Sequence, residues 1–102
     1  MHIDTSKLAA LDVIKSAEAQ TKSMKTLRAT LRRQSQPGDP ERESRLEEAI
    51  TQQMLVMSKV RGLMAKLQWE TVKLTEAQEQ RLRDAAKALA AERRQAKKMM
   101  RT

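Results

Sequence analysis

The chain contains no cysteine, no phenylalanine and no tyrosine, and only two glycines, two prolines and one tryptophan in 102 residues. Each absence closes off a class. Without Cys there is neither a disulfide scaffold nor a thiolate metal site. Without Phe or Tyr, and with so few turn formers, a β-sandwich or barrel would lack its strand residues and its loops. The single histidine, His2, has no second imidazole or thiolate with which to share a metal. No uninterrupted apolar run reaches the length of a signal peptide or a membrane span, so a soluble, cytoplasmic chain without membrane contact is expected.

What is present points to helices. Apolar residues make up 39% of the chain, but 14 of them are Ala, and charged residues make up 33%. A surplus of Ala, Leu, Met, Glu, Gln, Lys and Arg is the composition of long helices. The expected class is all-α. The expected architecture is an elongated helical hairpin or three-helix bundle with coiled-coil character, self-associating, and built as one domain.

One stretch reads as a loop, Gln34-Ser35-Gln36-Pro37-Gly38-Asp39-Pro40. Two prolines bracketing Gly-Asp stop one helix and start another. Asp39 suits an N-cap, Pro40 the first helical position and Glu41 the first turn. Upstream, Ile3, Asp4 and Leu8 have the spacing of a hydrophobic staple around an Asp cap. The first helix is thus expected over about residues 5–34 and the second from about 40 to 74. Thr75-Glu76-Ala77-Gln78 offers a capping box for a third helix over about 76–100. No Gly or Pro enforces that last break, and helices two and three could instead be continuous.

The second helix carries the strongest period. Leu46, Ile50, Gln53, Met57, Val60, Met64, Leu67, Thr71 and Leu74 step alternately by four and three. Helix one has a thinner seam of Ile3, Ala10, Val13, Ala17, Gln20, Met24, Leu27 and Leu31, flanked by Leu11 and Ile14. Helix three offers Leu82, Ala85, Ala86, Leu89, Ala96 and Met99. The run Met54-Leu55-Val56-Met57 covers every side of a helix, and such a helix is usually buried on several sides. Helix two is therefore the expected centre, either of an intrachain core or of an assembly. Because the outer helices contribute mainly Ala, self-association or a partner helix would supply the missing apolar area.

The net charge of +8 is uneven. Residues 1–38 hold seven bases against three acids, 39–75 six of each, and 76–102 eight against four, matching the totals of 21 and 13. Two clusters stand out. Arg28, Arg32 and Arg33 close helix one, and Arg93, Arg94, Lys97, Lys98 and Arg101 close helix three. Both suit the helix dipole, and both could contact acidic surfaces or phosphates. Nucleic acid is the weaker of the expected partners: zinc-finger spacing, a Gly-turn recognition unit and aromatic stacking platforms are all missing.

A catalytic constellation is missing too. Glu43, Glu47 and Glu48 are paired on a polar helix start without the Glu-x-x-His pattern of helix-bundle metal sites. There is no Gly-rich phosphate loop and no triad-like setting. No enzyme activity, metal or cofactor is expected. The expected function is a non-enzymatic protein-interaction module of chaperone, adaptor or anti-activator type, with a basic nucleic-acid accessory protein as the alternative. Its expected partner-binding residues are Met54, Leu55, Met57, Val60, Gly62, Met64 and Trp69. Trp69 lies off the main seam on the line of Leu55 and Gly62, so helix three, a second copy or a partner should cover it.

Overall fold

The computed structural model describes residues 5–100. Three helices, α1 (Thr5–Gln34), α2 (Pro40–Gln68) and α3 (Glu76–Met100), pack pairwise into one elongated bundle. The all-α, three-helix expectation is what the chain adopts, and no strand occurs among the described residues. The Ile3–Asp4 part of the expected staple lies outside them.

The α1–α2 connection follows its sequence signals. Gly38 takes the left-handed conformation at φ 86°, where a side chain would be strained. Asp39 is the N-cap, its carboxylate accepting from the Glu41 N–H at 3.0 Å, with Pro40 opening the helix. Arg42 folds back over the turn, donating from Nη1 to the Ser35 carbonyl at 3.4 Å.

At its other end α2 departs from expectation: it stops at Gln68, not near residue 74. Trp69 is the C-cap, and Glu70 turns left-handed at φ 58°. The Glu70 N–H then reaches the Leu67 carbonyl at 3.1 Å, and the Thr71 N–H reaches that of Lys66 at 2.9 Å. This is a Schellman closure with Glu where Gly is usual. The Thr71 hydroxyl donates to the same Lys66 carbonyl at 3.0 Å, which helps hold a conformation that Glu disfavours. Helices two and three are therefore separate. Val72 is buried in the connection, and Thr75 and Gln78 form the reciprocal capping box, at 3.2 and 3.0 Å.

The core runs along three seams. On α2, Leu46, Gln53, Met57 and Val60 are buried, and Leu63 on an adjoining line is buried too. Each helix contacts the other two, so α2 is one side of the bundle and not its expected centre, and Met54 and Leu55 of its apolar run remain exposed. On α1 the buried line is Ala10, Ile14, Ala17, Thr21, Met24 and Leu31, so the seam lies beside the expected one. Ile14 replaces Val13, and Thr21 replaces Gln20. A threonine fits because its hydroxyl donates to the Ala17 carbonyl at 2.8 Å, leaving no buried polar atom unpaired. On α3 the line is Leu82, Ala85, Leu89, Glu92, Ala96 and Met99, with a carboxylate in mid-seam.

Candidate functional site

Two surface features carry chemistry the fold does not consume. The first is the outer side of α2. Leu55, Gly62 and Trp69 follow one another at seven-residue intervals, about two helical turns, so they stand on one line facing away from Val60 and Gln53. Leu55 is 58% exposed, Trp69 77% and neighbouring Met54 50%. Helix three does not cover Trp69. Of the three expected covers, helix three is thereby removed, since the early stop of α2 leaves the indole beyond the last helical turn. A Cβ placed at Gly62 would meet nothing within 4 Å, so nothing in the chain's own packing requires glycine there. From Ala49 to Trp69 the sequence has Lys59, Arg61 and Lys66, all exposed, and no acid.

The remaining expected contact residues divide by burial. Met57 and Val60 belong to the bundle core, at 9% and 0% exposure, and are unavailable to a partner while the chain is folded. They face inward because α1 and α3 close over the seam that the sequence left open to a second chain. Met64 is half-buried against that core.

The second feature is a cleft of ≈ 280 Å³ between α2 and α3, lined by Gln53, Met57, Arg61, Ala90, Arg93, Arg94 and Lys97. On α2, Gln53, Met57 and Arg61 recur every four residues. On α3, Ala90, Arg93, Arg94 and Lys97 recur by three and four, so each set lies along the facing edge of its helix. The small Ala90 side chain leaves the space open. Gln53 is only 1% exposed, and neither its amide nitrogen nor its amide oxygen has a hydrogen-bond partner. The Arg93 Nε is also buried and unpaired. An amide left this way costs about 1–3 kcal/mol. Gln53 was legible as a polar break in the seam, but the cleft around it was not.

The other basic residues have different fates. Arg28 is not free for an external acid: it grips Glu92 by two hydrogen bonds, at 2.7 and 3.0 Å. The expectation of a phosphate contact there is corrected by this internal partner. Arg32 and Arg33 are exposed at the end of α1, where they suit the dipole. Lys98 is exposed and engaged within the chain, and Arg101 lies outside the described residues. On the opposite side of the bundle, Arg81 is held by the Glu18 carboxylate through both Nε and Nη2, which raises its pKa above the usual arginine value.

Among the described residues no group of His, Asp or Glu is placed to hold a metal ion, and no helix is long and apolar enough to cross a membrane. No protein family, curated protein or solved structure matches this chain.

Proposed function

We propose that this protein is a non-enzymatic interaction module whose outer α2 face docks one amphipathic partner helix with acidic edges. The observation that carries this reading is the exposure of Leu55, Met54 and Trp69 on an outer face that also carries the exposed bases Lys59, Arg61 and Lys66 and no acid from Ala49 to Trp69. Apolar anchors with bases one turn away suit a helix that is apolar on one side and acidic beside that side. Gly62 gives that helix a place to approach the α2 backbone closely. Chaperone, adaptor and anti-activator roles would all use such a face. A second copy of this chain suits it less well, because each copy would bring the same bases to the contact.

Intrinsic fluorescence tests the reading directly, since Trp69 is the sole tryptophan. The probe is a designed helical peptide with a Leu face and Glu edges; its counterpart has Lys edges. Titration of the Glu peptide should shift the emission blue, and the Lys peptide should not. Trp69→Ala should weaken binding of the Glu peptide by about 2 kcal/mol, as loss of an anchor does. Equal response to both peptides, or to neither, would remove the face from consideration.

A further inference from the structure

We propose that the cleft between α2 and α3 is an anion site that takes the phosphates of a small polyphosphate. This goes beyond the docking of a partner helix and shares only Arg61 with it. Four cationic side chains, Arg61, Arg93, Arg94 and Lys97, line one space of ≈ 280 Å³ with no carboxylate among the lining residues. None of the four is in an ion pair among the described residues. This separates them from Arg28 and Arg81, whose charges are already answered by Glu92 and Glu18. Holding four like charges along one cleft is unfavourable until an anion arrives.

A second observation is independent of the charge. The floor residue Gln53 is buried with its amide unpaired, on a helix position where Leu would pack without that cost. The Arg93 Nε–H is left without an acceptor in the same cleft. The Arg93 Nε–H and the Gln53 Nε2–H are two unpaired donors among the lining residues, and a small turn of these side chains would offer them to the oxygens of an entering anion. Guanidinium groups bind phosphate oxygens in paired, charge-assisted hydrogen bonds. Three arginines and a lysine carry more positive charge than one carboxylate can neutralise, which favours a multiply charged phosphate chain. Lys97 also borders a neighbouring groove containing Glu43 and Glu47, so it closes the acid-facing end of the site.

The probe is inorganic tripolyphosphate, followed by calorimetry and by thermal melting at fixed ionic strength, with chloride and sulfate as controls. Tripolyphosphate should bind and raise the melting temperature, and chloride should do neither. Arg94→Gln and Lys97→Gln are exposed changes that leave the core alone, and each should weaken binding about tenfold, the loss of a charge-assisted hydrogen bond. Lys87→Gln, which removes the same charge from α3 outside the cleft, should bind as the parent does. Gln53→Leu should melt higher than the parent when free, yet respond less to tripolyphosphate. That opposite pair of signs is one a purely structural glutamine would not give. A nucleoside triphosphate arm distinguishes the source: tighter binding than tripolyphosphate makes the ligand a nucleotide, and equal binding makes it the phosphate chain alone. The proposal is overturned if chloride reproduces the effect, if Lys87→Gln loses as much as Lys97→Gln, or if Gln53→Leu binds normally. It is also overturned if duplex DNA displaces tripolyphosphate and is itself the tighter ligand.

Discussion

Arg28 of α1 and Glu92 of α3, 64 positions apart in sequence, meet as a two-point ion pair with side chains only 14% and 6% exposed. Both occupy seam positions where an apolar residue would ordinarily sit. The pair ties the first helix to the third and fixes how far one slides along the other. Its net worth in stability is small or even unfavourable, because removing two charges from water offsets most of their attraction. Losing one partner is different. Arg28→Ala or Glu92→Ala should each destabilise by about 3–5 kcal/mol in denaturant melts, since an uncompensated charge stays behind. The double change Arg28→Met with Glu92→Leu should recover most of that loss. If the double variant is no better than the sum of the singles, the pair is not a self-contained unit.

Glu70 is a place where a substitution should help. It holds φ 58° at the end of α2, a region that a residue with a Cβ enters at a cost and glycine does not. Its exposed side chain is in none of the hydrogen bonds that close the helix. Glu70→Gly should therefore raise stability by about 1 kcal/mol. A loss of stability in thermal melts would mean that the Glu70 side chain, not the backbone turn, secures the connection.

The same residue explains where the sequence was hard to read. Gly38 and Asp39 announce the first turn by type, and the structure uses both as expected. The second turn rests on a Glu in a glycine conformation and on the Thr71 hydroxyl, neither of which is a stop signal, so α2 reads several residues too long. The α1 seam was displaced for a related reason, and the α3 seam, otherwise as expected, lacked Glu92. An apolar pattern skips Thr21, Arg28 and Glu92, yet each is tolerated inside because a partner satisfies it. Those partners lie in the three-dimensional packing. The outer α2 line of Leu55, Gly62 and Trp69 was legible from spacing alone, whereas the cleft beside Gln53 needed α3 in place.

The core position of Val60 separates folding from docking. Val60 is fully buried between helices, so Val60→Asp should unfold the isolated chain, whatever its oligomeric state. Circular dichroism at micromolar concentration reads this directly. A folded Val60→Asp chain that merely loses association would place the seam at an interface between copies.

The outer α2 face holds Met54, Leu55 and Trp69, three of the exposed large apolar side chains, and is where two copies of the folded chain would meet. There the apolar strip attracts, and Lys59, Arg61 and Lys66 repel their counterparts. Salt screens the repulsion over about 8–10 Å and leaves the apolar term in place. The chain should thus sediment as a monomer at low ionic strength and associate weakly as salt rises. Leu55→Glu should abolish that association. A tight dimer at low salt would make a second copy, not an acidic helix, the occupant of the face.

Gly62 offers the sharpest separation of stability from function. A glycine inside a helix costs about 1 kcal/mol relative to alanine. At this position the cost has no return within the chain, because an added Cβ would meet nothing within 4 Å. Gly62→Ala should therefore stabilise the free protein by about that amount in denaturant melts. A docked helix that approaches the α2 backbone at Gly62 would meet the new methyl group, so the same variant should bind the Glu-edged peptide several-fold more weakly. The two effects have opposite signs, which neither a general loss of structure nor a general gain in helicity produces. If Gly62→Ala gains stability and keeps full peptide binding, the partner does not cross α2 at this glycine, and the contact must centre on Leu55 and Trp69 alone.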